Sequence, residues 1–461
     1  MLFSGIPFLF YFLPAVLLIY FVLPKNCKNG FLLLSSLLFY AWGEPAYVLL
    51  MMAAITLFWA YGLLIAGAKS KGARSFWLTA AALTGAAMLL VFKYADFALE
   101  NWNLLTGMSL PLLKLALPIG ISFYTFQCVS YAVDVYRGDT PPQKNIVNFG
   151  TYVALFPQLI AGPIVRYVDI AGELEDRQAK WEDVAQGLLH FLLGLGKKVL
   201  IANPLGELTA AFRLSGEKSL LFYWLYAIAF CLHIYFDFSG YSDMAVGLGR
   251  CFGFRFPQNF NYPYISRSIT EFWRRWHMTL GGWFRDYVYI PLGGNRVGKW
   301  KWLRNILAVW LLTGLWHGAA WNFIVWGLLF AAMLLLEKFL PLQKLPELLR
   351  HGYVLLVILI SFVIFNAQTM AQALQDIGGL FGFAGVPLVT TQSLYALRSY
   401  GVLLVVAMVG ATPLVSRLAI RCQSQWPAAS WLAPVAALAL LLICTAYLVD
   451  GSFNPFLYFR F

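Results

Sequence analysis

Long apolar stretches with no charged residue recur along this chain, and they restrict it to folds that sit in a lipid bilayer. Residues 2–23 and 46–66 each match the roughly 20 residues that a helix needs to cross the hydrocarbon core. Only 12% of all residues are charged, against about 25% in a soluble domain. Backbone polar groups in lipid must be satisfied within the protein, and runs of this length satisfy them as helices. The sequence therefore predicts an all-α polytopic membrane protein, with about 11–13 membrane helices when re-entrant segments are included.

The charges that do occur are mostly basic and lie between the apolar stretches. Lysine and arginine together number 33, against 21 aspartates and glutamates. Cytoplasmic loops of membrane proteins collect Lys and Arg, so this excess does not require a nucleic-acid partner, and none is expected. Residues 250–304 are predicted to be a basic cytoplasmic insert. Because no internal repeat or low-complexity linker divides the sequence, residues 1–461 are predicted to form a single multi-pass membrane domain.

Three apolar stretches carry glycine or proline and are predicted to be more complex than a simple span. Residues 112–135 contain Pro118 and Gly120, which favour a kinked or interrupted helix. Residues 149–164 are short for a span and are predicted to be re-entrant. Residues 377–392, which are rich in glycine and phenylalanine, are predicted to form an outer loop or another re-entrant segment.

His317 is the first candidate catalytic residue, because it lies between Trp316 and Gly318 in an otherwise apolar run. An ionisable group at membrane depth costs about 2.5–3.5 kcal/mol by insertion scales, which favours a functional role. A neutral imidazole in a desolvated tunnel can accept a proton from an attacking hydroxyl near neutral pH. The structural alternative is a histidine that is hydrogen-bonded between helices or lies at the membrane interface.

His277 is the second candidate and ends a basic, tryptophan-rich run. At helical spacing Trp273, Trp276 and His277 share one face, whereas Arg274 and Arg275 point away from it. One interpretation is an interfacial amphipathic helix with snorkelling arginines and a tryptophan belt. The functional interpretation places His277 at a tunnel mouth, where the arginines meet an anionic acyl carrier, since guanidinium groups suit phosphate geometry.

Three polar residues, His233, Asp237 and Asp243, lie in and beside an apolar stretch and are predicted to support the site. His233 and Asp237 are four residues apart and can touch on a helix. An intramembrane carboxylate needs a partner, for which His233, Ser239 or an arginine of the insert are the candidates. Structural pairing is favoured over metal binding, and no metal is expected, because no His-Glu-x-x-His motif or Cys/His set is present.

The run Gly-Leu-Gly-Lys-Lys at residues 194–198 is most simply a helix packing face that ends on the cytoplasmic side. No phosphate-binding glycine loop or nucleophile elbow stands in a strand–helix context. Their absence from the sequence argues against nucleotide hydrolysis and against an α/β-hydrolase.

Several long motifs together resemble the membrane-bound O-acyltransferase (MBOAT) family. They lie at residues 117–124, 134–138, 161–163, 235–245, 271–277, 285–296, 314–318 and 454–461. The resemblance runs nearly end to end, with the family core expected at residues 118–337. The similar branch is the bacterial one that includes the alginate O-acetylation membrane protein and peptidoglycan-acetylating proteins.

The resemblance implies a ring of tilted helices around a thin central wall, pierced by a tunnel that the acyl donor enters from the cytoplasm. His317 matches the family's catalytic histidine and is expected to act as a general base or proton shuttle. His277 matches its second functional histidine and is expected to position or polarise the thioester. The residues expected to bind substrate are Arg274, Arg275, Trp273, Trp276 and Trp316.

These observations predict an O-acyltransferase of the bacterial cytoplasmic membrane. Its donor is expected to be acetyl-CoA or another acyl thioester, used as a substrate, with no bound cofactor. The resemblance implies that an extracytoplasmic acyltransferase partner protein completes transfer to hydroxyls of a cell-surface polysaccharide. Two alternatives are a proton-coupled transporter or flippase and an acyltransferase that acts on a lipid or a protein.

Overall fold

The computed structural model describes residues 1–160, 162–425, 432–451 and 457. Within these ranges the chain forms helices and no strand. Three predicted features fall outside the described residues: Ala161 of the third motif, Trp431 at the start of the last predicted helix, and residues 454–461 apart from Leu457. The all-α prediction is confirmed for the described part of the chain.

The helices group into two compact units, residues 1–191 with 242–257, and residues 192–241 with 258–461. The helices that begin in the first unit are α1 Leu13–Val22, α2 Lys25–Ala41, α3 Tyr47–Gly67, α4 Lys71–Leu89, α5 Ala95–Thr106, α6 Ile121–Arg137, α7 Ile146–Ala154, α8 Phe156–Leu159, α9 Tyr167–Glu175 and α10 Trp181–Gly196.

The helices that begin in the second unit include a pair of short ones, α13 and α14, in the basic insert. The full set is α11 Asn203–Leu214, α12 Leu220–Cys251, α13 Ile269–Trp273, α14 Met278–Phe284, α15 Lys299–His317, α16 Trp321–Phe339, α17 Glu347–Asn366, α18 Met370–Leu380, α19 Thr391–Gly410, α20 Leu414–Gln425 and α21 Leu432–Asp450. Segments of π-helix adjoin several of them, at Phe8–Phe12, Leu90–Tyr94, Lys197–Ala202 and Arg285–Tyr289.

Eight helical stretches among the described residues are long and apolar enough to cross a bilayer. They are Tyr47–Gly67, Lys71–Thr106, Trp181–Leu214, Leu220–Cys251, Trp321–Phe339, Glu347–Asn366, Thr391–Gly410 and Leu432–Asp450. The first apolar stretch of the chain forms a shorter helix, Phe8–Val22. The polytopic prediction is confirmed, with eight long spans among the described residues against the 11–13 membrane helices predicted when re-entrant segments are included.

The glycine and proline signals coincide with helix ends. Gly120 has a φ of +75°, and α6 begins directly after it, so the predicted interruption is present. The segment at 149–164 contains two short helices, α7 and α8, that meet at Leu155. Residues 377–392 are partly helical, since α18 ends at Leu380 and the next helix begins at Thr391.

Helices α15 and α16 form a hairpin whose two backbones touch. A β-carbon on Gly314 would lie less than 3.0 Å from the carbonyl oxygen of Phe323, and one on Gly327 would lie equally close to that of Trp310. Small residues allow such close approach between membrane helices, where dispersion contacts contribute much of the association energy. The contact sets where the last turn of α15, which carries His317, meets α16.

We expect Gly327→Ala to destabilise the protein by about 1–3 kcal/mol, because the added methyl group has no room against the Trp310 carbonyl. The melting temperature of the detergent-purified protein measures the effect. The matched control is Gly352→Ala in α17, where a β-carbon would meet nothing within 4 Å. Equal melting temperatures for the two variants would contradict the proposed backbone contact.

Candidate active site

His317 is the last residue of α15 and is buried, with 3% of its surface exposed. Three aromatic rings surround its imidazole at steep angles: Trp316 at 4.9 Å, Trp326 at 5.0 Å and Phe365 at 5.3 Å between ring centroids. These rings come from α15, α16 and α17, so three helices exclude water from one histidine.

His277 is also buried, at 1% exposure, but it is not part of a continuous helix. His277 has a φ of +43° and is the last residue of the turn that follows α13. Helix α14 begins at the next residue, Met278. The predicted single helix with Trp273, Trp276 and His277 on one face is therefore wrong. Tertiary hydrogen bonds replace the helical ones, since the Arg275 carbonyl accepts from the Asn261 N–H at 2.9 Å. A non-glycine residue in this conformation costs about 1–3 kcal/mol, which the surrounding structure must offset.

Asn259 holds the segment around His277 in place through its backbone and its side chain. Its carbonyl accepts from the Met278 N–H at 2.9 Å. Its Oδ1 lies 3.2 Å from His277 Nδ1 and accepts from the Thr279 hydroxyl at 2.9 Å. Burial lowers the pKa of His277 to about 3, which keeps the imidazole neutral at physiological pH. No pattern in the sequence indicated a role for Asn259, although it lies in the basic insert.

Trp316 connects the two histidines, because its ring contacts both of them. Its centroid lies 5.8 Å from that of His277 and 4.9 Å from that of His317. His277 also borders a cavity of about 170 Å³, whose other walls include Trp273, Trp310 and Thr313. The structure thus brings both predicted histidines into one aromatic cluster and opens the His277 side of it to a small cavity, the histidine cavity.

The other two predicted tryptophans have different surroundings. Trp273 lines the histidine cavity and packs against Trp310 at 4.8 Å. Trp276 is 3% exposed and lies in an aromatic core, with ring contacts to Phe260 at 5.1 Å and Phe362 at 5.2 Å. Trp273 is therefore placed to contact a small molecule, whereas Trp276 supports the walls behind the site.

The two neighbouring arginines, Arg274 and Arg275, also have different surroundings. Arg275 forms an ion pair with Glu271 at 3.0 Å and donates to the Asn261 carbonyl at 3.1 Å. Arg274 is exposed and lines a second cavity of about 360 Å³, the basic cavity, defined by its four cationic residues. These are Arg267, Arg274, Lys338 and Arg350. One of them, Arg267, already pairs with Glu347 at 2.6 Å. The sequence did not predict this cavity, because two of its cationic residues, Lys338 and Arg350, lie more than 60 residues from Arg274 in the chain.

Asp237 lies in α12 at 0% exposure, and its partner is Lys198 rather than any of the three predicted ones. The Lys198 ammonium lies 2.6 Å from the carboxylate and is itself 2% exposed. The Leu457 N–H donates to the same carboxylate at 3.0 Å. Lys198 also lies inside the continuous helical stretch Trp181–Leu214, so the prediction that the lysines mark a helix end is wrong. The predicted glycine packing face is present, since a β-carbon on Gly240 would lie 2.7 Å from the Gly194 carbonyl oxygen.

The remaining predicted polar residues lie in different surroundings. His233 is 3% exposed, with its ring perpendicular to that of Phe230 at 6.2 Å. Asp243 belongs to the first unit, where its carboxylate lies 3.3 Å from His190 Nε2. Among the described residues, no group of three or more His, Cys, Asp or Glu side chains could hold a metal ion. The three predicted supporting residues thus have different neighbours: His233 contacts Phe230, Asp237 contacts Lys198 and Asp243 contacts His190.

Comparison with known sequences identifies the family of the chain. The sequence profile of the membrane-bound O-acyltransferase family matches residues 137–371, about half of the chain, including both histidines. The chain belongs to this family. The resemblance inferred from the motifs is thereby confirmed, and the protein is an acyltransferase with multiple membrane helices.

Three relatives of this MBOAT protein come from bacteria. A probable alginate O-acetylase of Azotobacter vinelandii is 38% identical over the full length of both chains. The peptidoglycan O-acetyltransferase of Helicobacter pylori is 35% identical over 84% of this chain and 81% of its own. The teichoic acid D-alanyltransferase of Bacillus subtilis is 31% identical over 48% of this chain and 59% of its own.

The buried Asp237–Lys198 pair yields a stability prediction for this MBOAT protein. Lys198→Met should cost about 3–5 kcal/mol, because it leaves a buried carboxylate without its counter-ion. The double variant Lys198→Met with Asp237→Asn removes that charge and keeps an oxygen for the Leu457 N–H, so it should recover most of the loss. Folded yield and melting temperature in detergent measure both, and equal damage in the two variants would argue against the ion pair.

Proposed function

We propose that this acyltransferase moves an acetyl group from acetyl-CoA in the cytoplasm toward hydroxyls of a cell-surface polysaccharide. The observation that carries the proposal is the packing of His277 and His317 on one tryptophan beside a small cavity. Two relatives that cover most of this chain are named for O-acetylation, one of alginate and one of peptidoglycan. The bacterial cytoplasmic membrane is the proposed location, since it separates such a donor from such an acceptor.

His317 is the proposed base. The attacking hydroxyl oxygen forms a bond to the acyl carbon, the carbon–sulfur bond breaks, and the hydroxyl proton passes through His317 to the departing thiolate. A neutral imidazole suits this task, because it can accept the proton and return it. The aromatic rings from α15, α16 and α17 support this role by excluding water that would hydrolyse the thioester.

The two cavities suit the two ends of a coenzyme A thioester. The histidine cavity, lined by apolar groups such as Trp273, Leu280 and Phe284, has room for a short acyl group at about 170 Å³. The basic cavity, which contains Arg274, offers cationic groups for the nucleotide phosphates. Arg275 contributes by fixing the turn through Glu271 and Asn261. An extracytoplasmic acyltransferase partner, implied by the family resemblance, would complete transfer to the polysaccharide.

His317→Ala should lower the cell-envelope ester at least about 100-fold, the lower range for loss of a general base. Cells lacking this protein are complemented with wild type or variant, alkali-labile esters are released from washed envelopes, and the acids are identified by mass spectrometry. The matched control, His190→Ala, changes a partly exposed histidine of the first unit and should keep the ester. Normal ester levels with His317→Ala would overturn the proposal. Release of D-alanine instead of acetate would show that the transferred group is D-alanyl rather than acetyl.

Arg274→Gln should raise the KM for acetyl-CoA about tenfold, the effect of losing one charge-assisted hydrogen bond, with little change in kcat. Initial rates in membrane vesicles measure this with acetyl-CoA and with acetyl-pantetheine, which lacks the nucleotide phosphates. Wild type should prefer acetyl-CoA, and the variant should lose most of that preference. The control is Arg296→Gln, an exposed cation of the same insert outside the cavity. If Arg274→Gln keeps the preference for acetyl-CoA over acetyl-pantetheine, the basic cavity does not bind the donor phosphates.

A further inference from the structure

The orientation of the Asn259 side chain is decided by a donor that cannot change its role. The Thr279 backbone N–H points at the Oδ1 atom of Asn259 at 3.3 Å, and the Thr279 hydroxyl lies 2.9 Å from the same atom. A backbone N–H only donates, so the atom facing it must be the amide oxygen rather than the amide nitrogen. The flipped amide would set two donors against each other in a buried position, since Asn259 is 1% exposed.

This oxygen determines which nitrogen of His277 carries the proton. His277 Nδ1 lies 3.2 Å from Asn259 Oδ1 and must therefore donate to it. A neutral imidazole has a single N–H, so Nε2 carries the lone pair. The ring is neutral at physiological pH because burial lowers the pKa of His277 to about 3. A neighbouring hydrogen bond commonly selects the imidazole tautomer in this way.

We propose that Asn259 is a positioning residue that fixes His277 in its Nδ1–H tautomer, so that Nε2 accepts a hydrogen bond from an N–H or O–H group of the bound substrate. This inference rests on the proposed function, since it concerns the same cavity. Two roles were predicted for His277, to position the thioester or to polarise it, and this tautomer favours the positioning role. Polarising a thioester carbonyl requires a donor at the reacting atom, whereas a lone pair on Nε2 positions a substrate donor.

Asn259 is a polar contact of His277 Nδ1, and aromatic rings pack beside the imidazole. The neighbouring rings are Phe238 of α12, at 4.7 Å, and Trp316 of α15, at 5.8 Å, and neither titrates. Two titratable residues, Arg285 and Tyr289, line the same cavity, and His317 lies beyond Trp316. Arg285 already pairs with Asp286 at 2.7 Å.

The first test measures the tautomer without any catalysis. The chain contains five histidines, so ¹⁵N-histidine NMR of the purified protein in lipid gives few signals, and their loss in His277→Gln assigns the relevant pair. We expect a protonated Nδ1 and an unprotonated Nε2 at neutral pH. A protonated Nε2 on His277 would overturn the inference, whatever the enzyme's activity.

The second test uses the pH dependence of acyl transfer. Asn259→Asp keeps an oxygen for the three donors, which favour its ionised form, and the new carboxylate raises the pKa of His277. The charged imidazolium has no lone pair, so activity of this variant should fall as pH is lowered through the raised pKa and recover at higher pH. Asn259→Ala, which loses the acceptor, should be about tenfold slower at every pH.

The control for the added charge is Gln258→Glu, on the neighbouring exposed side chain, and its pH profile should match wild type. If Asn259→Asp shows the wild-type profile with a uniform loss of rate, Asn259 is only structural and the inference fails. If no strain shows acyl transfer, the proposed function fails, and the NMR measurement still decides the tautomer. The two failures are therefore distinguishable.

Discussion

Direct contact between the backbones of α15 and α16 is the constraint on which the site depends. At Gly314 and Gly327 each helix approaches a carbonyl of the other more closely than any β-carbon would allow. This approach puts Trp326 of α16 against His317 at the end of α15, at 5.0 Å. The dry surroundings that suit a neutral base thus result from the absence of side chains at two positions, one on each helix of the hairpin.

Burial of polar groups imposes a second requirement, that each must find a partner inside the protein. Asp237 meets it with Lys198 and with the backbone of Leu457, which is 220 residues away in sequence. His277 meets it with Asn259, which also supports the strained turn. In both cases the partner has a further role besides offsetting the desolvation of the buried polar group. Lys198 ties α12 to the π-helical segment after α10, and Asn259 selects the orientation and protonation of an imidazole.

Periodicity and composition predicted most of the helices, because a run of apolar residues in lipid has few alternatives to a helix. Helical periodicity gave the wrong structure for the turn before His277. Helical spacing favoured one helix there, yet the Asn261 N–H and the Asn259 carbonyl compete for the backbone groups of Arg275 and Met278. A local sequence pattern carries no information about hydrogen bonds to another segment of the chain. Here those tertiary hydrogen bonds outweighed the helix propensity of the segment.

The sequence by itself determined that this protein is an all-α membrane protein of the MBOAT family and that His277 and His317 are its distinctive ionisable residues. Both follow from chemistry that needs no coordinates, namely the cost of charge in lipid and long matching motifs. Only the tertiary structure decided that Trp316 touches both histidines, that Arg274 lines a cavity whereas Arg275 forms an ion pair, and which nitrogen of His277 holds the proton. Those outcomes depend on distances of a few ångströms between atoms far apart in the chain, and such distances exist only once the helices are packed.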